Sequence, residues 1–349
     1  MKGIVLTGFK TFPEIQELEK PTAGPGEVVL KVAGSGACHS DVALFHDYES
    51  DPTGKLTPPY VLGHEVSGWV EEVGPGVNGL EIGSAHLVYG PIGCQRCRAC
   101  SRGQDTYCEN VAQMDYMATG LGKNGGMAEY VVVPARNLVP LGDADPINAA
   151  PLADAGLTPY HAIKSAMPVL TGGGKTALVI GLGGLGYIAV QMLSVLTGAK
   201  ILVTDMKEDA MKAVEQFGGI PIAGGEGQAD RVREATGGRG VDAVFDFVGI
   251  SPTIELAMSV VSRQGAAVVV GVAGHPYEWS FYKAPYEARL YNTYWGTIEE
   301  LYDVVALYRD GKITPNVERY SLEGGLEAYQ KLVDGTLSAR AVIVPHGEV

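Results

Sequence analysis

Four cysteines within fifteen consecutive positions give the clearest chemical signal in this chain. They are Cys94, Cys97, Cys100 and Cys108, in the spacing Cys-x2-Cys-x2-Cys-x7-Cys. Four thiolates at this spacing can surround one ion that prefers tetrahedral coordination, which indicates zinc. A ferredoxin-type cluster is disfavoured, because its fourth cysteine would follow after three residues and precede a proline. Since four thiolates leave no open position, we expect this zinc to stabilise the lobe at 91–110 and to do no chemistry.

The fifth cysteine, Cys38, lies outside this cluster, in Gly36-Ala37-Cys38-His39-Ser40-Asp41. Two other segments contain potential ligands, namely His64 in Gly63-His64-Glu65 and Asp154. A Cys, a His and an Asp together could hold zinc through three protein atoms and leave a fourth position for an alcohol oxygen. Spacing alone leaves open the common alternative, which is a buried structural cysteine.

A glycine-rich turn, Gly181-Leu182-Gly183-Gly184-Leu185-Gly186, follows an apolar strand and precedes an apolar-rich helix. In this context the GxGxxG pattern predicts a dinucleotide site, with a pyrophosphate at the helix N-terminus. Asp205 stands 19 residues beyond Gly186, where its carboxylate can accept both adenosine ribose hydroxyls. A 2′-phosphate would meet that charge, and Met206 supplies no cation, so NAD(H) is favoured over NADP(H). An alternative role for Asp205 is to cap the following helix.

Two patterns of predicted secondary structure indicate which elements position these residues. From Val28 to about Val139, short strands alternate with turns rich in glycine, proline and asparagine, which predicts a barrel-like unit of antiparallel strands. From about 177 to 271, buried strands alternate with helices, which predicts a parallel, doubly wound sheet. An amphipathic helix is predicted over Ile298–Arg309, and a last strand over 339–345 is expected to return to the first domain.

Composition excludes several classes of protein. The chain has 349 residues, a length that favours two domains, and its net charge of −14 disfavours nucleic acid and anionic membranes. Glycines interrupt the longest apolar region, at 176–196, so no membrane span is expected. No targeting segment is evident at the start, and the clustered cysteines suggest metal binding rather than disulfides, so we expect a cytoplasmic setting.

The order of these motifs resembles the zinc-dependent medium-chain alcohol dehydrogenases over nearly the whole chain. The motifs that carry the resemblance are Gly24-Pro25-Gly26-Glu27, Cys38-His39-Ser40-Asp41, Gly63-His64-Glu65, the four-cysteine lobe and Gly181 to Gly186. Residues 294–297 and 154–161 are most similar to the bacterial secondary-alcohol branch. The resemblance implies an α/β protein with a GroES-like β-barrel catalytic domain at 1–155 and 295–349. It places a Rossmann NAD-binding domain at 156–294.

The resemblance also implies residue roles. Cys38, His64 and Asp154 would bind a catalytic zinc, with Glu65 behind the metal as an outer or transient ligand. Asp41 would hold the free nitrogen of His64, and Ser40 would accept the substrate hydroxyl proton. The residues expected to contact the cofactor are His39, Gly181, Gly183, Gly184, Leu185, Gly186, Asp205, Val248, Val270 and Val272.

Two positions depart from the family pattern. Many members have cysteine where this chain has Asp154, and a carboxylate makes a harder site that is expected to hold zinc less tightly. Many also have a histidine where this chain has Ala43, at the outer end of a proton relay. His46 is a candidate to replace it.

We therefore predict a dehydrogenase that transfers hydride between NAD(H) and a medium-sized apolar or aromatic secondary alcohol or ketone, with two zinc ions per chain. The predicted pocket lining is aromatic and consists of Phe45, Tyr48, Tyr116, Tyr294 and Trp295. A homodimer or homotetramer is expected. A polyol dehydrogenase is the alternative within the fold, although the apolar Tyr294-Trp295 pair argues against it. A non-catalytic NAD-binding protein with only the four-cysteine zinc is the alternative from another class.

Overall fold

The computed structural model describes residues 1–347 and divides the chain into two compact units. Unit 1 comprises Met1–Ala155, Thr297–Arg309 and the described chain from Pro315 onward. Unit 2 comprises Gly156–Gly296 and Asp310–Thr314. Residues 348 and 349, the end of the predicted catalytic domain, lie outside the described residues.

The first 155 residues form mainly short strands. The strands are β1 (Lys2–Leu6), β2 (Glu14–Glu17), β3 (Glu27–Gly36), β4 (Tyr60–Val61), β5 (Glu65–Val73), β6 (Ala85–Val88), β7 (Ala118–Thr119), β8 (Gly122–Lys123), β9 (Tyr130–Pro134) and β10 (Leu138–Pro140). The helices are α1 (His39–Val42), which continues as a π-helix at Ala43–Asp47, and α2 (Pro146–Ala149). Short 3₁₀ turns lie at Cys100–Arg102, Asp105–Tyr107, Val111–Gln113, Ala135–Asn137 and Ala150–Ala153.

The remaining chain alternates helices and strands. In order, these elements are α3 (Leu157–Leu170), β11 (Thr176–Ile180), α4 (Gly184–Leu196), β12 (Lys200–Thr204), α5 (Glu208–Ala213), a 3₁₀ turn at Glu215–Phe217, β13 (Gly219–Pro221), α6 (Gln228–Ala235), β14 (Val241–Asp246), α7 (Ser251–Val260), β15 (Val261–Val269) and β16 (Arg289–Asn292). The last four are α8 (Ile298–Arg309), β17 (Val317–Tyr320), α9 (Gly325–Val333) and β18 (Arg340–Ile343). None of the helices in the described part of the chain has the length and apolar character that a membrane crossing requires.

Unit 1 is organised around a sheet in the order β10-β6-β5-β3-β18-β17, with β9 also paired to β3. Most pairs are antiparallel, and two register shifts between β3 and β5 bend the sheet. The valine- and leucine-rich faces of these strands pack together as the core. β18 pairs antiparallel with β3, which confirms that the C-terminal strand returns to the first unit. β17 runs parallel to β18, in a part of the chain that the antiparallel prediction for Val28 to about Val139 does not cover.

Unit 2 contains six parallel strands in the order β13-β12-β11-β14-β15-β16. The order reverses between β11 and β14, and in such sheets ligands bind outside the carboxyl ends of the strands at the reversal. Its strands carry continuous apolar runs, as expected when helices cover both faces of a sheet. The predicted doubly wound parallel sheet is confirmed.

One predicted helix has different bounds. The sequence predicts a helix from Met206 to Phe217, but α5 covers only Glu208–Ala213 and a 3₁₀ turn follows it. The segment does end where predicted, at Gly218, which has φ +87° and closes the turn in the left-handed conformation that favours glycine.

Candidate active site and metal centres

Strand register brings two of the predicted zinc ligands together. Gly36, at the end of β3, pairs directly with Glu65, at the start of β5. Cys38 lies two residues beyond the first of these positions, and His64 lies one residue before the second. Asp154 ends the 3₁₀ turn at Ala150–Ala153, which packs against both strands. Three segments far apart in sequence therefore meet at one corner of the sheet.

The three donor atoms lie at the spacing of a metal site. Oδ2 of Asp154 lies 3.8 Å from the Cys38 sulfur and 3.8 Å from Nε2 of His64. All three donor atoms lie within 4.8 Å of one another. Donors at about 2.0–2.3 Å from a tetrahedral zinc ion are separated by roughly 3.3–3.7 Å, so this set fits zinc after small adjustments. Cys38 and His64 are buried, and the Asp154 side chain is 14% exposed.

A buried carboxylate orients the imidazole of His64. Nδ1 of His64 lies 3.1 Å from Oδ1 of Asp41, and both side chains are buried. Burial lowers the pKa of His64, but the charge of Asp41 and hydrogen bonds with Asp154, Asp41 and Cys38 outweigh it and raise the pKa well above its ordinary value. Nε2 is thereby directed toward Cys38 and Asp154, as a metal-binding histidine requires.

The carboxylate of Glu65 is engaged by Arg340 of β18. Nε and Nη2 of Arg340 donate to the two oxygens of Glu65 at 2.9 and 2.5 Å, and the Ala155 amide donates to Oε1 at 3.1 Å. Burial raises the pKa of Glu65, while the Arg340 charge opposes that rise. A Cβ on Gly36 would lie 1.9 Å from Oε2, so the close approach requires glycine there. The structure places Glu65 beside the cluster, with its carboxylate bound by Arg340.

Sequence reasoning missed Arg340. The available signal was a lone cation inside the apolar strand predicted at 339–345, which was already expected to return to the first domain. A buried arginine in such a strand requires an anionic partner, and Glu65 was available to provide one.

The hydroxyl of Ser40 lies at the edge of the ligand cluster. Its oxygen donates to the Cys38 sulfur at 3.0 Å and lies 3.3 Å from Nε2 of His64. Ala43 is buried in the π-helix, whereas His46 is exposed and places Nδ1 2.8 Å from Oδ1 of Asp47. The structure therefore brings Ser40 to the predicted zinc site and leaves His46 at the surface.

The four remaining cysteines form a second cluster, with their sulfurs all within 4.8 Å of one another. Backbone amides of the lobe point at these sulfurs, including the Cys94 amide toward Cys108 at 3.3 Å and the Cys97 amide toward Cys94 at 3.4 Å. Nδ2 of Asn110 donates to the Cys94 sulfur at 3.2 Å and, with the Arg96 and Cys97 amides, lowers the pKa of Cys94 to about 6. Burial instead raises the pKa of Cys100. The donor set and its amide contacts fit one tetrahedral zinc ion with no open position.

A buried carboxylate in this lobe binds Arg136, which follows β9 in the same chain. Oδ1 of Asp105 accepts hydrogen bonds from the Gly93 amide at 3.2 Å and from Nη1 of Arg136 at 2.8 Å. Nη2 of Arg136 also donates to the carbonyl of Cys100 at 2.9 Å. Asp105 therefore holds the lobe just before Cys94, through the Gly93 amide, and Arg136 holds it at Cys100.

The glycine motif forms the turn between β11 and α4. Gly181 has φ +85°, and a Cβ on Gly186 would lie 1.9 Å from the Gly181 carbonyl oxygen, so turn and helix pack too closely for a side chain. A Cβ on Gly183 would have no neighbour within 4 Å, which leaves the backbone open to a ligand. The residues therefore fit the pyrophosphate of a dinucleotide at the N-terminus of α4.

Asp205 follows β12 at the same edge of the sheet. Its carboxylate accepts hydrogen bonds from the Leu182 amide at 2.6 Å and from the Lys207 amide at 2.8 Å. Since α5 is flanked by Lys207 and begins at Glu208, Asp205 is not the cap residue of that helix. Asp205 instead links the glycine turn, which follows β11, to the end of β12.

The other predicted cofactor contacts of unit 2 follow strands at this edge. Val248 lies after β14 and closely approaches Gly181. A Cβ on Gly181 would lie 2.7 Å from Cγ2 of Val248. Val270 is buried directly after β15, and Val272 is exposed. Leu185 and Gly184 form the first turn of α4. His39 is an exposed residue of unit 1.

The five predicted pocket aromatics have different environments. In unit 1, Phe45 is buried and its ring packs edge-on against Phe12 and Tyr329, at 5.3 and 5.4 Å between ring centres. Tyr48 and Tyr116 are half-buried in the same unit. In unit 2, Tyr294 is partly exposed and Trp295 is buried.

Comparison with known proteins decides the family. A family model described as the alcohol dehydrogenase GroES-like domain matches residues 24–143, and a model of the zinc-binding dehydrogenases matches residues 184–310. The NAD-dependent alcohol dehydrogenase of Sulfolobus acidocaldarius is 32% identical, over 98% of this chain and 99% of the relative. The chain belongs to the zinc-dependent medium-chain alcohol dehydrogenases. It is an enzyme of this family, and both the predicted family and the predicted fold class are confirmed.

Two further relatives match this chain over nearly its whole length. The crystal structure of the alcohol dehydrogenase from the archaeon Aeropyrum pernix superimposes with a TM-score of 0.91 at 32% identity, covering 99% of this chain and 100% of that one. A D-arabinose 1-dehydrogenase (NADP(+)) of Saccharolobus solfataricus is 29% identical, over 99% of this chain and 97% of the relative. The family thus includes relatives with different substrates and cofactors, and the finer resemblance to the bacterial secondary-alcohol branch stays a prediction.

Proposed function

We propose that this dehydrogenase transfers hydride between NAD(H) and a medium-sized apolar or aromatic secondary alcohol or ketone, and that it holds two zinc ions per chain. The convergence of Cys38, His64 and Asp154 beside the Ser40 hydroxyl carries the proposal. Three protein donors leave a fourth position of a tetrahedral ion for a substrate oxygen. A bound zinc ion would lower the pKa of an alcohol hydroxyl, and bound NAD⁺ would accept the hydride.

The side chains around the cluster have separate tasks in this reaction. Asp41 keeps Nε2 of His64 directed at the ligand position, and Arg340 holds the carboxylate of Glu65 in place. Ser40 accepts the hydroxyl proton of the substrate, because its oxygen lies beside two of the ligand atoms. Because Ala43 carries no ionisable group, Ser40 would release its own hydroxyl proton as it accepts that of the substrate, with the exposed His46 as the candidate for the outer end of the relay.

The second zinc belongs to the four-cysteine lobe. Its four thiolates exclude a substrate oxygen, so this ion has only a stabilising role. Two zinc ions per chain are the expected metal content, and they separate this proposal from a non-catalytic NAD-binding protein with the lobe zinc alone.

The preference for NAD rests on Asp205. The carboxylate follows β12 and accepts a hydrogen bond from the glycine turn, so a 2′-phosphate on a ribose bound beside it would meet its negative charge. Met206, the next residue, is fully exposed and offers no compensating cation. The NADP-linked relative from Saccharolobus shows that the fold accommodates either cofactor, so the local charge is expected to decide the preference.

Asp205→Ala tests the cofactor assignment. Loss of the carboxylate removes both the ribose contacts and the repulsion, so we expect the ratio of kcat/KM for NAD over NADP to fall by about tenfold or more. Asp209→Ala is the matched control, because Asp209 is an exposed acid on α5 that pairs only locally with Lys212. An unchanged ratio in Asp205→Ala would remove this role from Asp205.

The substrate class is supported by aromatic residues of unit 1. Tyr48 and Tyr116 offer partly exposed aromatic surface there. Phe45 is buried, and its ring packs against Phe12 and Tyr329. Polyols need several polar side chains to bind their extra hydroxyls. The D-arabinose relative keeps a polyol or sugar substrate as the second candidate.

A panel of alcohols and ketones, assayed with both cofactors, tests the function as a whole. We expect turnover of secondary alcohols such as 1-phenylethanol with NAD, and weak or no turnover of sorbitol or arabinose. Preferential oxidation of the polyols would support the second candidate. A chain that binds NADH, holds one zinc ion and turns over none of these compounds would overturn the enzymatic proposal. Light scattering in solution tests the expected homodimer or homotetramer.

A further inference from the structure

The C-terminal helix α9 contributes a tyrosine to the surroundings of the ligand cluster. The hydroxyl of Tyr329 donates a hydrogen bond to Oδ2 of Asp41 at 3.0 Å, across 288 positions of sequence. Both side chains are completely buried. Tyr329 belongs to none of the motifs that carry the family resemblance.

The contacts of Asp41 show what this hydroxyl does. Oδ1 faces Nδ1 of His64 at 3.1 Å, while Oδ2 accepts from the Cys38 amide at 3.1 Å and from Tyr329. A buried carboxylate is costly unless hydrogen bonds replace its hydration. Donors on Oδ2 fix the plane of the carboxylate, and that plane sets where Oδ1 meets the imidazole.

We propose that Tyr329 is a positioning residue for the catalytic zinc site. By holding Asp41, it keeps the ring of His64 oriented with Nε2 toward Cys38 and Asp154. The proposal deepens the proposed function and rests on it, because it assumes that those three residues bind zinc. It couples the end of the chain to the metal centre through a continuous path of buried hydrogen bonds.

Aromatic packing places the tyrosine hydroxyl. The Tyr329 ring meets Phe45 edge-on at 5.4 Å and 79°, and α9 packs against α1. Phe45 lies in the π-helix that continues α1, the helix that carries Asp41. Because these contacts involve the ring, Tyr329→Phe should keep the packing and remove only the hydrogen bond.

The test follows zinc rather than activity. Purified full-length protein loaded with zinc is mixed with the chelator dipicolinate, and the released metal is followed with a zinc-sensitive dye. Release of the catalytic zinc is identified as the kinetic phase that is present in the wild type and absent in Asp154→Ala. Removing an outer hydrogen-bond partner of a metal ligand costs roughly 10- to 100-fold in affinity, and Tyr329 acts one residue further out, so we expect about 3- to 10-fold faster release from Tyr329→Phe.

Cobalt substitution gives a second measurement. With Co²⁺ in the catalytic site, the visible absorption reports the geometry of the ligands, so Tyr329→Phe should shift or broaden these bands. A purely structural role for the hydroxyl would lower stability and leave both the spectrum and the release rate of the folded protein unchanged.

Tyr320→Phe is the matched control. Its ring is buried on β17, and its hydroxyl contacts Glu318 and the ammonium of Lys331 on α9. This variant therefore removes a hydroxyl that contacts the same helix without touching Asp41. We expect catalytic zinc release at the wild-type rate.

A double-mutant cycle with Asp41→Asn tests the path. Asp41→Asn alone should release the catalytic zinc about 10- to 100-fold faster. Adding Tyr329→Phe to it should change the rate less than about twofold, because the group through which Tyr329 acts is already altered. Wild-type release from folded Tyr329→Phe would overturn the proposal, and so would a full additional effect in the Asp41→Asn background.

The same experiment separates this inference from the proposed function. If Asp154→Ala retains as much zinc as the wild type, the catalytic zinc assignment itself fails. If Asp154→Ala loses one zinc ion while Tyr329→Phe and Tyr320→Phe both behave like the wild type, only the role of Tyr329 fails. Should Tyr329→Phe not fold, release of the catalytic zinc from Asp41→Asn at the wild-type rate would still overturn the proposal, because Tyr329 acts only through that carboxylate.

Discussion

The two candidate metal clusters of this chain differ in where their ligands come from. Cys94, Cys97, Cys100 and Cys108 belong to one short lobe, and their sulfurs meet because the local turns bring them together. Cys38, His64 and Asp154 come from three distant segments and meet only where β3, β5 and a 3₁₀ turn are packed together. The comparison shows that a four-cysteine cluster can be built locally, whereas the three-residue cluster that we propose as the catalytic site depends on the whole sheet.

The surroundings of the two clusters differ in the same way. The lobe sulfurs receive hydrogen bonds mainly from nearby backbone amides. The cluster of Cys38, His64 and Asp154 is supported instead by buried side chains from remote elements, with Asp41 behind His64 and the Glu65–Arg340 ion pair beside it. Breaking a buried ion pair or a buried hydrogen bond is costly, so the second site is the more sensitive to distant changes.

Removal of Asp154 should have the largest effect. We expect Asp154→Ala to lose one zinc ion per chain and at least roughly 1,000-fold in turnover, because the ligand that completes the open site is gone. NADH should still bind, since the glycine motif and Asp205 belong to unit 2. Metal analysis, turnover and NADH fluorescence measure these three properties.

A cysteine at the same position sharpens this test. Asp154→Cys should retain two zinc ions per chain, because thiolate is an accepted ligand, although the changed charge is expected to slow the reaction. Two zinc ions in a folded Asp154→Ala protein would contradict the assignment of Asp154 as a zinc ligand. Asp154 would then be a carboxylate near the boundary between the two domains.

Loss of a lobe cysteine should have a smaller and different effect. Cys100 is completely buried, and Cys100→Ser should lose the lobe zinc and lower the melting temperature by about 5 °C or more. The catalytic chemistry of the remaining folded protein should be unaltered, because none of its residues lies in the lobe. Calorimetry beside metal analysis measures the effect.

The pair of variants tests the comparison directly. Cys100→Ser should reduce stability with turnover retained, and Asp154→Ala should reduce turnover with less change in stability. A Cys100→Ser protein with full zinc and an unchanged melting curve would show that the four sulfurs do not form a metal site.

Removal of Asn110 should have the smallest effect. Its amide donates to the Cys94 sulfur and is the largest contribution to the lowered pKa of that thiol. We expect Asn110→Ala to release the lobe zinc about 2- to 5-fold faster to a chelator, with catalytic zinc release unchanged. Gln113→Ala, an exposed change in the adjacent turn, is the control. Equal rates in both variants would show that backbone amides alone support the lobe.

The sequence by itself determined the features that are local. The four-cysteine spacing is realised as a cluster because all four positions lie within a few turns of one another. The glycine motif and the alternation of apolar strands with helices predicted the parallel sheet, since a buried strand followed by a glycine turn and a helix has few other ways to pack. In both cases the information lies within a short stretch of chain.

Tertiary structure alone decided the contacts that join distant segments. The pairing of Gly36 with Glu65 and of β18 with β3 depends on sheet register, which no single segment encodes. Arg340 and Tyr329 reach the ligand cluster only because the C-terminal strand and helix return to unit 1. Family resemblance proposed Cys38, His64 and Asp154 as partners. The physical reason for their meeting is burial of the apolar faces of this sheet, which fixes the register that brings Cys38 near His64, while packing of the 3₁₀ turn against β3 and β5 adds Asp154.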